Sequence, residues 1–392
     1  MRGHIVKRYK NSYTIVINLG IDPATGKRKQ HWLSVKGTKK EAEQRLAELL
    51  HQIDAGTFMR PGKTTLAAFL NRWLNDCAFP NLAPRTAEVY EYIVRVHLIP
   101  ALGHLPLTQL RPEHVQKYCA AKLLHGRFDG KGALSPKTVR NQYLALHSAL
   151  QTAIRWGLLQ RNPADAVDPP PPQKTEMQIW DEDEIRRFLE DMTESAYYPI
   201  FYLFLFTGLR RSELLALRWQ DVDFIYCQLY VSRSLHQLKT GEFVYRPPKT
   251  AKGNRPVALS PSTLQVLREY RTKWEAECLM LGKPLKEEDL VFSHIDGSPL
   301  VPDTVSEAWH EAVSRSGLKM IRLHDARHTH ASLMLKQGVH PKVVQERLGH
   351  SSIQITLDTY SHVVPGIQQM AAARLDDIFK VSPKSEPAEK VG

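Results

Sequence analysis

Two stretches of this chain concentrate residues suited to handling an anion. Residues 207–213 read Thr-Gly-Leu-Arg-Arg-Ser-Glu; further on come His324-x-x-Arg327, a Leu-Gly-His ending at His350, and Tyr360 within Thr-Leu-Asp-Thr-Tyr-Ser-His-Val. A phosphodiester gains charge on its non-bridging oxygens in a pentacoordinate transition state, so strand transfer asks for fixed cations. Arginine suits this because its planar fork binds phosphate bidentately and stays protonated. The attacking group must be an oxygen or sulfur that can hold a phosphoryl group as an ester, which a tyrosine can do. Two arginines, two histidines and a tyrosine would let one phosphodiester be gripped, attacked and rejoined. A free phenol, with a pKa near 10, is a weak nucleophile at neutral pH, so its proton loss needs help; surrounding positive charge favours the phenolate.

These residues need a scaffold, and 392 residues exceed one ordinary core, pointing to two or three domains. Hydrophobic residues at 42% and charged residues at 24% place the chain among globular proteins. The net charge of +12 is uneven: residues 1–63 hold thirteen Lys/Arg against five Asp/Glu. A polyanionic partner is a better account of this than a merely solvated basic surface. Cys77, Cys119, Cys227 and Cys278 form no Cys-x-x-Cys pair, so neither a zinc ribbon nor a disulfide framework is indicated, and a reducing cytoplasm fits. No apolar run is long enough for a membrane span, and the N-terminus lacks a signal core.

β-like runs at 13–19 and 30–35, joined by an Asp-Pro…Gly turn, precede a capping box, Thr38-Lys-Lys-Glu41, and a helix to about Ile53. A three-stranded sheet with one helix is expected, its sheet lying in a DNA groove with Lys7, Arg8, Lys10, Lys27, Arg28 and Lys29 on phosphates. From residue 64 the pattern turns helical. Leu66, Phe69, Leu70, Trp73 and Leu74 form one stripe, Thr86 is a candidate cap for a helix through Val89, Ile93 and Val96, and Ser135-Pro136 opens a helix that ends at Gly157. The segment 162–172, with four consecutive prolines, reads as an extended, semi-rigid linker. Beyond it, Asp181-Glu-Asp-Glu marks a helix start, 203–217 reads as one buried helix, 224–259 as strands and turns, 303–348 as helices, and the residues past Lys380 as a frayed tail.

The two motif-bearing stretches resemble the arginine boxes of the tyrosine recombinases, and the chain as a whole resembles an integrase of a phage or integrative transposon. The resemblance implies a multidomain, mainly α protein with small β-sheets. Its parts are a basic arm-type DNA-binding domain at 1–60, a helical, SAM-like core-binding domain at 64–161, a Pro-rich linker at 162–177, an α+β catalytic domain at 178–380 and a flexible tail at 381–392. It further implies Tyr360 as nucleophile, Arg210 and Arg327 as phosphate-binding arginines, His324 as proton acceptor, His350 as a hydrogen bond to a non-bridging oxygen, and Lys249 as proton donor to the leaving oxygen. Lys249 is placed on a β-hairpin and preferred over Lys252 from its Pro-Lys-Thr context. Glu213, three residues from Arg210, is positioned to orient that guanidinium, while Arg211, about 100° away on a helix, pairs elsewhere.

The implied activity is site-specific recombination of double-stranded DNA at attachment sites through a 3′-phosphotyrosyl link, integrating or excising a mobile element. One ester exchanges for another, so neither ATP nor metal is required and no cofactor is expected. A homotetramer on DNA is implied, with 366–380 as a docking element, in the cytoplasm and nucleoid of a bacterial or phage-infected cell. An excision factor or host DNA-bending protein is left open. His324 and His328 share the i, i+4 spacing of a zinc site, but Asp325 stands where the protease pattern has Glu and Arg327 lies beside it, which disfavours metal hydrolysis. Type IB topoisomerase chemistry is disfavoured by the separate basic N-terminal unit. The alternative is a non-catalytic DNA-binding regulator on the same scaffold, against which stands the presence of every catalytic residue type.

Overall fold

The computed structural model describes residues 3–21, 26, 28–54, 64–127, 132–171, 177–248, 251–360, 372, 375 and 376. The chain divides into two compact units, Met1–Lys174 and Thr175–Gly392. In the first, β1 (Gly3–Tyr9), β2 (Ser12–Ile21) and β3 (Arg28–Lys36) form an antiparallel meander in that order. The two-residue period puts Ile5, Ile15, Ile17, Leu33 and Val35 on one face, against Leu46 and Leu49 of α1 (Lys39–Asp54). The expected capping box starts α1: Glu41 N–H donates to Thr38 Oγ1 at 3.3 Å, and Thr38 N–H to Glu41 Oε2 at 2.8 Å.

The helical part follows. α2 (Leu66–Trp73), capped by Thr65, runs through a π turn at Leu74–Ala78 into α3 (Phe79–Asn81). α4 (Pro84–Tyr92) passes through a second π turn, Ile93–Leu98, into α5 (Ile99–Leu102). α6 (Pro112–His125) and α7 (Pro136–Arg155), the latter capped by Ser135, complete the bundle around Leu70, Val94, Leu98, Leu146 and Leu150. Two readings change here. Ala83, not Thr86, is the N-cap of α4, because Pro84 already supplies the first helical φ. The π turn, one residue wider per turn, also rotates the apolar stripe, so that Ile93, Val94 and Leu98 are buried while Val89 is exposed.

The segment read as an extended linker begins as part of this core. Asn162 caps a 3₁₀ turn, Pro163–Ala166, Ala164 and Val167 are buried, and Tyr143 Oη donates to Ala164 O at 2.9 Å. Prolines near the start of a short 3₁₀ turn cost no hydrogen bond, which the composition argument had not allowed for.

In the second unit, α8 (Glu182–Met192) begins at a capping box between Asp181 and Glu184. Its Phe188 packs with Trp180, Phe201 and Trp309, ring centroids 4.9–6.0 Å apart, at the centre of the largest core. The expected single helix over 203–217 is two: α9 (Tyr198–Thr207), then α10 (Arg211–Leu214). Gly208 divides them at φ +65°, and a Cβ there would come within 2.7 Å of the His330 ring. No side chain fits that turn without strain.

β4 (Val222–Asp223), β5 (Gln228–Val231), β6 (Ser234–Gln237), β7 (Phe243–Arg246) and β8 (Arg255–Ala258) form two small sheets, β4-β5-β8 and β6-β7. The segment between β7 and β8 therefore crosses from one sheet to the other. Lys249, expected on a β-hairpin, lies outside the described residues; the strands that flank it, β7 and β8, belong to different sheets. α11 (Pro261–Met280), α12 (Pro302–Ser316), α13 (Leu323–Lys336), α14 (Pro341–Leu348) and α15 (Ile353–Tyr360) follow. The docking segment 366–380, apart from 372, 375 and 376, and the tail from 381 lie outside the described residues.

Candidate active site

α13 supplies His324, Arg327 and His328 at i, i+3 and i+4, one face of one helix. Arg327 is 2% exposed. Its Nη1 donates to Gly208 O and its Nη2 to Leu348 O, both at 2.7 Å, so one guanidinium ties the turn after α9 to the end of α14. Burial and the neighbouring Arg210 press its pKa downward. Arginine starts high enough to stay charged at neutral pH all the same.

The break at Gly208 makes Arg210 the N-cap of α10. Its backbone N–H donates to Glu213 Oε2 at 2.9 Å, its Nη1 to Glu213 Oε1 at 2.6 Å, and its Nη2 reaches Gly349 O at 3.4 Å. Arg210 and Arg327 are thus anchored to consecutive carbonyls, Leu348 and Gly349, immediately before His350. Arg211 turns to α12, donating to Pro302 O at 2.8 Å and Asp303 Oδ1 at 3.1 Å. It does pair elsewhere, although as the first residue of α10 and not by rotation along a continuous helix.

α14 ends on Gly349 at φ +66°, which frees His350 to turn back. His350 Nδ1 lies 2.9 Å from Thr356 Oγ1, and its ring stacks over Tyr360 with centroids 6.3 Å apart. Burial, with Arg327 and Arg210 nearby, lowers its pKa to about 4, so the imidazole is neutral at pH 7.

Tyr360 is the last described residue of α15, its ring fully buried against Ala331, Val344 and Leu348. Its hydroxyl lies 2.9 Å from His328 Nδ1. Burial raises the phenol to about 12 and outweighs Arg327 and Arg210, which act in the opposite sense. The expected net help from positive charge is therefore absent in this DNA-free state. His328 is itself lowered to about 4, by burial first and His324 second, so it is neutral, and in the tautomer protonated at Nε2 its Nδ1 accepts from the phenol. His324 stands edge-on to His328 at 4.9 Å, its pKa lowered by desolvation of its inward side and by Arg327.

Lys249 lies outside the described residues; Lys252 donates through Nζ to Ser351 O at 2.9 Å, next to His350. Among the described residues no group of three or more His, Cys, Asp or Glu is close enough to hold a metal ion. In the first unit Lys7, Arg8 and Lys10 are exposed at the end of β1 and the following turn. Lys27 is outside the described residues, and of Arg28 and Lys29 only their place in β3 is described.

Sequence reasoning missed three participants, the buried Arg255 and His330 and the half-buried Arg347. Arg255 sits in a stretch without periodic signal, and His330 and Arg347 read as ordinary helix residues. Arg347 donates to His330 Nε2, Ala258 O and Phe206 O, while His330 Nδ1 donates to Leu205 O, which fixes a neutral tautomer. His328 was visible, but as half of a metal pair; its place on the face carrying His324 and Arg327 was the usable signal.

Residues 178–365 match the phage integrase family, and residues 65–123 match the phage integrase N-terminal SAM-like domain. The chain belongs to the tyrosine recombinases of the phage integrase family. It is 29% identical over 388 residues to the ICEBs1 integrase of Bacillus subtilis, covering 95% of this chain and all of that one. A XerC-like tyrosine recombinase of Caldanaerobacter subterraneus subsp. tengcongensis is also 29% identical, covering 95% and 98%. Among solved structures, the Tn1549 transposon integrase in complex with transposon right end DNA superposes with a TM-score of 0.67 at 22% identity, over 79% of this chain and 99% of that one. A lambda integrase tetramer bound to a Holliday junction gives 0.56 at 19% identity, over 91% and 94%. These likenesses establish that the recombinase has the integrase fold. Among its described residues no helix is long and apolar enough to cross a membrane.

Proposed function

We propose that this recombinase integrates or excises a mobile element, with Tyr360 attacking a DNA phosphorus to leave a 3′-phosphotyrosyl link and a free 5′-hydroxyl. The 5′-hydroxyl of a partner strand then displaces the tyrosine oxygen and restores a phosphodiester. The observation that carries this reading is the anchoring of Arg327 to Gly208 O and Leu348 O, with Arg210 on Gly349 O. It ties Arg210 to the turn that carries His350 and leads into the helix of Tyr360, far from Arg210 in sequence.

In this reading Arg210 and Arg327 hold the non-bridging oxygens and His350 adds a hydrogen bond to one of them. His324 stands at the open edge to accept the phenol's proton, and Lys249 gives a proton to the departing 5′ oxygen. Glu213 orients Arg210. Lys7, Arg8, Lys10, Lys27, Arg28 and Lys29 contact phosphates at outlying arm sites. The assembly is a tetramer on DNA at attachment sites, as the lambda integrase structure on a Holliday junction suggests by analogy, and it works in the cytoplasm. An excision factor or DNA-bending protein would set direction.

The test is a duplex carrying the element's junction, nicked beside the scissile phosphate so that the cleaved end diffuses away. Full-length protein should form a denaturant-resistant DNA adduct, in excess EDTA as well, and Tyr360→Phe should bind the site equally and form none. An adduct in that variant would remove Tyr360 from the role.

A further inference from the structure

Arg255, the first residue of β8, is 7% exposed and spends its guanidinium on three separate segments. Its Nε donates to Arg347 O at 2.7 Å and its Nη1 to Gly253 O at 3.0 Å. Nη1 also reaches Glu213 Oε1 at 3.2 Å, and Nη2 reaches Glu213 Oε2 at 2.9 Å. A guanidinium is costly to bury unless every nitrogen has an acceptor, and here every one does. Glu213, equally buried, has both oxygens divided between Arg255 and Arg210.

We infer that Arg255 is a positioning residue for strand cleavage: through Glu213 it sets the fork of Arg210, and through Arg347 O it sets the turn that carries His350. This rests on the function proposed above. The turn itself bears the imprint of the contact. Gly349 lies so close that a Cβ would come within 2.7 Å of Arg255 Nη1, so the glycine of Leu-Gly-His leaves room for this guanidinium. With Arg255 removed, Glu213 has one cation where it had two, and the His350 turn loses a strut. Arg210 then keeps its charge but not its aim. Lysine cannot restore the arrangement fully, because a single ammonium cannot span Glu213 and Arg347 O together. Misplacement of a reacting or binding group by about 1 Å costs on the order of 100-fold in rate.

The experiment measures single-turnover adduct formation and DNA affinity on the nicked substrate for full-length wild type, Arg255→Met, Arg255→Lys, Glu213→Gln and the Arg255→Met/Glu213→Gln double variant. Arg255→Met should cleave about 100-fold more slowly and Arg255→Lys about tenfold more slowly, with affinity within about twofold of wild type. The double variant should be no slower than the slower single, because both changes break one connection. A Met variant cleaving near the wild-type rate, losses that multiply in the double variant, or affinity falling as far as rate would each overturn the inference. Should Arg255→Met fail to fold by near-ultraviolet circular dichroism, a wild-type rate in Arg255→Lys overturns it instead. A wild type that forms no Tyr360-dependent adduct would overturn the function and this inference together, whereas a normal adduct in every variant overturns this inference alone.

Discussion

The resting protonation of Tyr360 can be put to a quantitative test. With its pKa raised to about 12, ionising the buried phenol at pH 7 costs about 7 kcal/mol, against about 4 kcal/mol for a free tyrosine at 1.36 kcal/mol per pH unit. Passing the proton to His328 is also uphill, because burial lowers the imidazole to about 4 while it raises the phenol. His328 therefore holds the hydroxyl without deprotonating it, and proton loss waits until DNA is bound. Titrating DNA-free wild type and Tyr360→Phe side by side isolates this one phenol by difference in the ultraviolet phenolate band. The difference signal should be absent up to about pH 11. Stability carries the same information. The folded pKa lies above the unfolded value near 10, so the contribution is complete below about pH 10 and is lost as pH rises towards 12, a loss Tyr360→Phe should not share. A Tyr360-dependent phenolate with a midpoint at or below about 10 would show that the arginines dominate over burial and would refute the reasoning.

Other expectations follow from separate features. Glu213→Gln should flatten the acid limb of stability: burial raises the Glu213 carboxyl but Arg255 and Arg210 outweigh it, so the wild-type contribution is present above the unfolded value near 4.3 and disappears as pH falls through the lower folded value, as read by thermal unfolding against pH. Gly349→Ala should destabilise the second unit by about 1–2 kcal/mol from the left-handed backbone alone, more if Arg255 cannot give way, seen as a lowered Tm. Replacing Lys7, Arg8 and Lys10 together by Ala should reduce the dependence of arm-site affinity on salt by up to about three counterions, measured by fluorescence anisotropy over a salt series.

Much of the site was legible because its parts are rare in combination. Thr-Gly-Leu-Arg and His-x-x-Arg set arginine and histidine, types a core has little use for, at fixed spacing, and the capping boxes at Thr38 and Asp181 name their helices locally. What escaped was set by tertiary contacts. The segment from Leu203 to Leu217 reads as one helix, because nothing in its composition says that Gly208 must leave room for His330. Arg255 sits among Lys, Gly and Asn like a surface residue, and only the closing of β8 against α14 buries it. The π turns at Leu74–Ala78 and Ile93–Leu98 shift phase without changing residue type. The hydroxyl of Tyr360 met His328 and not His324, a choice made by the direction from which α15 returns.

The main-chain oxygens that receive Arg327 have an implication for how the protein tolerates change. Gly208 O and Leu348 O persist whatever side chains their residues carry, so substitution at either acceptor can bend this anchorage but cannot delete it. A saturation scan across these turns, read by thermal stability, should therefore find losses concentrated where backbone path is altered, at Gly208, Gly349 and any introduced proline, while adduct formation should in addition fall at Arg210 and His350.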